Sequence, residues 1–144
     1  MAGDLGTPAG VPVFSSDWAR ACAECLNGRE GYRVAAGSWE AVIVLTMTDA
    51  GAPGEVRRVL LDLAEGICRE ARAAAAEDEA AARYILSGTA QTWREMLGGA
   101  LPPLMAIMTG RLRLAKGNLM ELIPYVNAAK ELVSAAALVP ATFP

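Results

Sequence analysis

The sequence has no histidine and only three cysteines, Cys22, Cys25 and Cys68, among its 144 residues. Without histidine, the Ser-His-Asp and Cys-His arrangements that activate a nucleophile cannot be built. Zinc sites also lose their commonest nitrogen ligand. An odd and small number of cysteines forms no disulfide framework and is typical of a reducing compartment. These absences argue against catalysis and against a bound metal.

The chain also lacks a long apolar run, a surplus of basic residues and a signal peptide. Its best apolar stretch, residues 42–47, is far too short to span a bilayer. Thirteen basic residues oppose sixteen acidic ones, and the resulting net charge of -3 argues against a nucleic-acid partner and against an anionic membrane surface. An acid stands near the N-terminus where a signal peptide carries positive charge. We therefore expect a cytoplasmic protein without a transmembrane segment.

Apolar residues are abundant, at 53% of the chain against 20% charged residues, which excludes a disordered chain. A chain of this length forms one domain with its own core. Residues 1–12 hold three glycines and two prolines with little to bury, and they predict a flexible N-terminal arm. We expect the domain to cover residues 13–137 and the last residues, 138–144, to form a tail.

The hydrophobic periodicity of the first half predicts two helices followed by strands. Ser15 or Ser16 caps a first helix, in which apolar residues recur at helical spacing until Asn27-Gly28 ends it, and a short helix follows at 30–36. From Trp39 the period changes to two, and both faces of this strand are largely apolar, so it is predicted to be central and covered on both sides. Further strands are predicted at 56–64, 67–75 and 83–87.

One segment of the first half is ambiguous. The alanine run at 73–82 favours a helix by propensity. The hairpins predicted on either side favour a strand, a turn and a second strand, and we adopt this second interpretation.

The second half predicts three more helices and one strand. Thr89 caps a helix that ends at the glycine pair 98–99, and Pro102-Pro103 start the next helix. A strand at 111–115 leads to a final helix that Asn118 caps and Pro124 kinks or divides.

Two motifs look functional but are better explained as structure. Cys22 and Cys25 have the C-x-x-C spacing, yet they lie well inside a helix on its apolar face, whereas a redox pair occupies a helix N-terminus. No second pair exists to complete a zinc site. The acidic run at 77–79 lacks the ligand spacing of a calcium loop and predicts a solvated hairpin tip. No glycine-rich phosphate loop follows a predicted strand. We therefore expect no catalytic residue, no metal site and no cofactor.

The apolar surplus between residues 93 and 108 is the most informative feature. Two short helices with this many leucines and methionines cannot bury all of them against one face of a small sheet. An ordinary core is one explanation. A cavity for a lipid or another apolar ligand is the other.

Several motifs in order along residues 13–137 resemble the sterol carrier protein type of lipid-binding domain. The N-terminal part contributes Phe14 to Trp18 and the strand opening at Trp39. The C-terminal part contributes Tyr84 to Gly88, Thr92-Trp93, Leu104-Met105, Met108 to Gly110, and Leu112 to Asn118. The family has a signature in which a glycine, an apolar strand and a second glycine are followed by Asp or Asn. Gly110, the strand after it, Gly117 and Asn118 resemble this signature. Asn118 stands where an Asp is common, and the chain's last residues are not a peroxisomal signal.

The resemblance, to a small stand-alone member of prokaryotic type, implies an α+β fold. It implies a five-stranded, mostly antiparallel sheet with about five helices packed on it, enclosing an apolar tunnel or pocket. It also implies non-catalytic binding or transfer of a fatty acid, acyl-CoA, isoprenoid or sterol-like molecule, with transient membrane contact. The alternative is an assembly module whose apolar helices form a homodimer or enzyme-partner interface.

The predicted ligand site lies between the sheet and the two helices that follow its fourth strand. Short connections should lay these helices over the sheet face that carries the apolar residues of two strands. The residues predicted to line the pocket are Leu61, Leu63, Tyr84, Leu86, Trp93, Met96, Leu97, Leu104, Met105 and Met108.

Overall fold

The computed structural model describes residues 10–144, so residues 1–9 of the predicted arm lie outside the described residues. The α-helices are α1 Ser16–Asn27, α2 Glu30–Ala36, α3 Ala90–Leu97, α4 Pro103–Met108, α5 Leu119–Leu122 and α6 Val126–Ala137. The strands are β1 Val11–Pro12, β2 Ala41–Thr48, β3 Val56–Ala64, β4 Ile67–Ala73, β5 Tyr84–Thr89, β6 Arg113–Lys116 and β7 Ala141–Thr142. Two 3-10 turns cover Ala76–Ala81 and Ile123–Tyr125.

The main sheet has five strands in the order β4-β3-β2-β5-β6. The pair β2–β5 is parallel and the other three pairs are antiparallel. The predicted fold class, an α+β domain with a mostly antiparallel five-stranded sheet, is confirmed, and six α-helices are found where about five were expected. Strand β2 is central because both of its faces are apolar and only a central, covered strand can bury both.

The register of the sheet places the apolar residues of four strands on one face. Ile43 of β2 lies opposite Leu61 of β3 and opposite Tyr84 of β5. One pleat further, Leu45 lies opposite Leu86, which in turn pairs with Leu114 of β6. Side chains two residues apart share a face, so these rows form one continuous apolar surface beneath the helices.

Local hydrogen bonds set the helix starts at Thr89 and Asn118 as the sequence predicts, and they select Ser15 rather than Ser16 as the cap of α1. The Ser15 hydroxyl accepts a hydrogen bond from the Trp18 backbone N–H at 3.2 Å, and Thr89 accepts one from Thr92 at the start of α3. The Asn118 side chain accepts one from the Met120 N–H at 2.8 Å. Pro124 lies in the 3-10 turn between α5 and α6, as expected for a proline that interrupts a helix.

The prediction of strand, turn and strand for residues 73–82 is wrong in its second half. Strand β4 ends at Ala73, and residues Ala76–Ala81 form a 3-10 turn with no second strand before β5. Asp78 stabilises this turn because its carboxylate accepts hydrogen bonds from the Ala75 N–H at 2.8 Å and from the Arg72 guanidinium at 3.0 and 3.1 Å. The helical propensity of alanine therefore decides the structure of this segment, and the hairpin pattern of the neighbouring segments does not continue through it.

The alanine-rich segment covers the second face of the sheet. Ala82 is buried there with Val44, Leu60 and Ile85, in an apolar cluster separate from the main core. Strand β2 can therefore be apolar on both faces, because the alanine-rich segment shields the face that lies away from the main core.

The two ends of the described chain pair with each other. Strands β1 and β7 form a parallel two-stranded sheet, in which the Val11 N–H donates to the Pro140 carbonyl at 3.1 Å and the Val13 N–H to the Thr142 carbonyl at 3.0 Å. Residues 11–12, assigned to the flexible arm, and 141–142, assigned to the tail, are therefore part of the fold. Within residues 10–144, each helix is too short or too polar to serve as a membrane span.

Candidate ligand-binding site

An apolar cavity lies between the sheet and the helices of the C-terminal half. It encloses about 80 Å³. Its wall consists of aliphatic and aromatic side chains and contains no charged residue. The lining residues are Trp39, Ile43, Leu45, Leu61, Leu86, Trp93, Met96, Pro103, Leu104, Ile107, Leu112, Leu119, Leu122, Ile123, Tyr125, Val126, Ala129, Leu132 and Val133.

The sheet and α3 form the floor and one end of the cavity. The floor is the apolar face described above, with Leu45 and Leu86 at its centre. Trp93 and Met96 of α3 close one end, and both are buried. The Trp93 indole N–H donates to the Thr46 carbonyl at 2.9 Å, which holds the ring against β2 and satisfies its buried polar atom.

The segment from α5 to α6 forms the roof. Because Pro124 prevents a continuous helix, the 3-10 turn redirects the chain before α6 begins. Tyr125 then stacks on Trp39, with ring centroids 4.6 Å apart. The roof is therefore joined to the start of β2 by an aromatic pair that is itself part of the wall.

A polar cluster outside the cavity anchors α5 to β5. The Glu121 carboxylate accepts hydrogen bonds from the Arg83 guanidinium at 2.7 Å and from the Tyr84 hydroxyl at 3.0 Å. The hydrogen bonds from Arg83, and then from Tyr84, hold the pKa of Glu121 below its usual range. Burial, followed by the bond to Glu121, raises the pKa of Tyr84. The cluster keeps Leu119 and Leu122 of α5 over the cavity.

Helix α4 forms one side of the wall and buries few of its side chains. Pro103, Leu104 and Ile107 face the cavity, but Ala106 is the helix's only buried residue. Ile123 of the 3-10 turn is part of the wall and is also 46% exposed. The cavity therefore reaches the surface at this turn, and we call this opening the mouth.

The structure places five of the ten predicted residues in the wall. These are Leu61, Leu86, Trp93, Met96 and Leu104.

The other five predicted residues lie elsewhere. Leu63 is fully buried in the core, and the buried Tyr84 directs its hydroxyl to Glu121. Leu97 lines a separate surface groove beside Trp18 and Phe143. Met105 and Met108 point outward, and they are 52% and 72% exposed. The helical register of α4 turns these two methionines away from the cavity because Leu104 and Ile107 occupy the inner face.

Sequence reasoning missed the roof. Leu119, Leu122, Ile123, Val126 and Val133 formed a visible apolar stripe, which fits a core face equally well. Local periodicity cannot distinguish a helix that packs on other side chains from one that faces a cavity.

The wall contains no carboxylate, thiol, amine or aliphatic hydroxyl, and the phenol of Tyr125 is its one ionisable group. The three cysteines lie outside it, and burial raises the pKa of Cys22 to about 12 and that of Cys68 to about 11. Among residues 10–144, no three histidine, cysteine or acidic side chains are grouped so that they could hold a metal ion. The arrangement can shield an apolar molecule from water.

The fold and the cavity together define a class: small α+β domains that enclose an apolar ligand between a sheet and short helices. The chain belongs to the SCP-2 sterol transfer family, whose model matches residues 24–130.

Solved structures agree with this assignment. A crystal structure of sterol carrier protein 2 is 41% identical, with a TM-score of 0.79 over 88% of this chain and 98% of that one. The solution structure of a conserved protein from Thermus thermophilus, described as a sterol carrier candidate, is 39% identical, with a TM-score of 0.81 over 94% of both chains. The apo form of sterol carrier protein 2 from Yarrowia lipolytica shares the fold, at 19% identity and a TM-score of 0.55. The match covers 83% of this chain and 88% of that one. A search of curated proteins finds no significant match.

Proposed function

We propose that this protein is a non-catalytic carrier that holds the apolar part of one lipid molecule in the cavity beneath α4, α5 and α6. The observation that carries the proposal is the composition of the wall, in which nineteen side chains converge without a single charge. Such a surface gains free energy by replacing water with hydrocarbon and has no group that would react with it. Membership of a sterol transfer family supports the same function.

The absence of charge in the wall restricts how a ligand is oriented. Burying an ionised carboxylate or phosphate without a partner is very costly. The apolar tail therefore occupies the cavity and the polar head stays at the mouth, near Ile123. This orientation suits a fatty acid, an acyl-CoA or an isoprenoid, and it suits a sterol only if its hydroxyl stays at the mouth.

The size of the cavity requires the wall to move during uptake. Its volume of about 80 Å³ is below that of the apolar cavity of roughly 150 Å³ that admits one benzene ring. Helix α4 can move at small cost, because it has six residues, buries only Ala106 and is bounded by glycines at 99 and 110. Helix α5 buries no residue, but Glu121 ties it to Tyr84. Outward movement of α4 would widen the cavity and leave the sheet intact.

The direct test is to identify what the protein binds. We expect lipid to be extracted from the purified protein and identified by mass spectrometry, and the delipidated protein to bind a fluorescent fatty-acid analogue with one site per chain. A protein that carries no lipid and binds no apolar probe would contradict the proposal. If it were also a dimer with α4 buried between two copies, the assembly-module alternative would replace it.

The non-catalytic part of the proposal has its own test. A screen with ester, thioester and phosphoester substrates should show no turnover, since no nucleophile has a base at hydrogen-bond distance in the wall. Turnover that disappears when a single polar side chain is changed would show that the protein is an enzyme.

A further inference from the structure

The groove beside Trp18 is a second concave site, and we call it the Trp18 groove. It lies where α1, α3, α6 and β7 meet, and it has a volume of about 260 Å³. This volume exceeds the roughly 150 Å³ of an apolar cavity that admits one benzene ring. The lining residues are Trp18, Arg94, Leu97, Gly98, Ala136, Ala137, Val139, Ala141 and Phe143. None of them belongs to the wall of the apolar cavity, so the two sites are built from different side chains.

Arg94 is the only charged side chain in the lining of the Trp18 groove. Its guanidinium lies over the Phe143 ring, 4.9 Å from the ring centroid, and donates to the Pro144 carbonyl oxygen at 3.4 Å. That contact is longer than an ordinary hydrogen bond and is exposed, so it contributes little. Within residues 10–144, no Asp or Glu side chain forms an ion pair with Arg94. The guanidinium is therefore held beside the groove and can still bind an anion.

The Trp18 indole contributes a hydrogen-bond donor that has no partner. Trp18 is 3% exposed and stacks on Phe14, with ring centroids 5.0 Å apart. Its buried Nε1–H finds no acceptor among residues 10–144, whereas the indole N–H of Trp93 donates to the Thr46 carbonyl. A buried donor is normally paired, because leaving it unpaired loses its hydrogen bond to water. An acceptor atom on a ligand in the groove would satisfy it.

We propose that the Trp18 groove binds a small aromatic acid, in which a carboxylate is joined to a single ring. The planar carboxylate matches the planar guanidinium of Arg94 and replaces the long contact to Pro144. The ring packs among apolar side chains that include Leu97 and Val139. No acidic side chain lines the groove to repel the ligand. The proposal is independent of the carrier function, because the cavity shares no lining residue with this site.

The three tryptophans of the chain allow the two sites to be observed separately. Trp18 lines the groove, whereas Trp39 and Trp93 line the cavity. Each indole N–H gives one signal in a ¹H–¹⁵N spectrum of the full chain. Titration with benzoate should shift the Trp18 signal downfield and saturate in the millimolar range, as expected for so small a ligand. Benzyl alcohol has the same ring without the charge, and it should bind at least about tenfold more weakly.

Arg94→Gln tests the role of the charge. This variant should weaken benzoate binding at least about tenfold, and Arg94→Lys should retain part of the affinity because it keeps the charge and loses only the planar fork. Arg113→Gln is the matched control. Arg113 is an exposed arginine of β6 that lines neither site and, like Arg94, forms no ion pair with an Asp or Glu side chain within residues 10–144. It should bind benzoate as the parent does.

Three results would overturn the inference. The first is equal benzoate affinity in the parent and Arg94→Gln, and the second is a parent protein whose Trp18 signal shows no saturable shift. The third is a shift confined to Trp39 and Trp93, because benzoate would then occupy the cavity. Ala129→Phe, which places a ring in the cavity, should leave the benzoate titration of Trp18 unchanged. A failure of the groove is therefore distinguished from a failure of the proposed function.

Discussion

Trp39 and Tyr125 stack face to face, with ring centroids 4.6 Å apart and ring planes 11° apart. The pair joins the segment just before β2, two residues from its start, to the 3-10 turn that interrupts the C-terminal helices. Together with the Glu121 cluster, it fixes the roof of the cavity at α5. Within residues 10–144, no side chain of helix α4 makes a hydrogen bond or an aromatic stack with the sheet. The wall is therefore anchored at α5 and adjustable at α4.

Filling the cavity should prevent ligand binding. Ala129 of α6 lines the wall, so Ala129→Phe places a ring in the space that an acyl chain would occupy. We expect the affinity for a fluorescent fatty-acid analogue to fall at least about tenfold while the circular dichroism spectrum is unchanged. Val34→Phe adds the same side chain on the exposed face of α2 and should bind as the parent does. Equal affinity of the parent and Ala129→Phe would contradict the assignment of the cavity.

Met105→Trp, a natural choice from the sequence, would not fill the cavity because Met105 points outward.

Gly117 should tolerate no side chain. Its φ is +105°, and a Cβ there would lie 2.4 Å from Cδ1 of Tyr84. Gly117→Ala should therefore lower the free energy of unfolding by at least about 2 kcal/mol, from backbone strain and from displacement of the ring. Gly54 has a φ of +83° and open space around it, so Gly54→Ala reports the strain alone. Urea denaturation of both variants measures the difference, and equal losses would show that the approach of Tyr84 to Gly117 is unimportant.

The ion pair between Arg72 and Asp78 should make stability depend on acid pH. The Arg72 hydrogen bonds, and then the one from Ala75, lower the pKa of Asp78 from 3.8 to about 2. A lowered folded-state pKa stabilises the fold fully above the ordinary value, and this contribution disappears as the pH falls from 3.8 through about 2. Asp78→Asn should therefore be less stable than the parent at neutral pH, and the two should converge in this acidic range.

Glu77→Gln is the control for that experiment. Glu77 lies on the same turn and makes no hydrogen bond or ion pair within the described part of the chain. Melting temperatures measured across the acidic range should be the same for Glu77→Gln as for the parent, apart from a general charge effect. If the melting temperatures of Asp78→Asn and the parent differ by the same amount at every pH, the stabilisation by Asp78 does not depend on its charge.

The cysteines should behave as structural residues with unequal reactivity. Cys25 is partly exposed, whereas Cys22 and Cys68 are buried and burial raises their pKa values. A thiol reagent at mildly alkaline pH should therefore modify Cys25 first and the other two only on unfolding. Replacing Cys22 and Cys25 together by alanine should cost about 1–2 kcal/mol of stability from lost apolar burial and should preserve probe binding. Binding that depends on thiol oxidation state would contradict this interpretation.

Sequence alone was sufficient where the deciding interaction is local. Ser15, Thr89 and Asn118 start helices because each side chain accepts a hydrogen bond from a backbone N–H two or three residues away. Strand β2 was predicted to be central because its own residues are apolar on both faces. These features need no knowledge of distant parts of the chain, and the family resemblance added a five-stranded, mostly antiparallel sheet with helices packed on it.

Tertiary structure decided everything that depends on distant neighbours. The pairing of β1 with β7 joins residues separated by most of the chain, and the periodicity of two-residue strands is too short to indicate it. In α4, Leu104 and Met105 are adjacent and similarly apolar, yet one faces the cavity and the other faces solvent. The hydrophobicity of α4 indicated that one of its faces packs against the rest of the protein. Its rotation was decided by the sheet, α3 and α6, because the side that gains most burial depends on the shape of those neighbours.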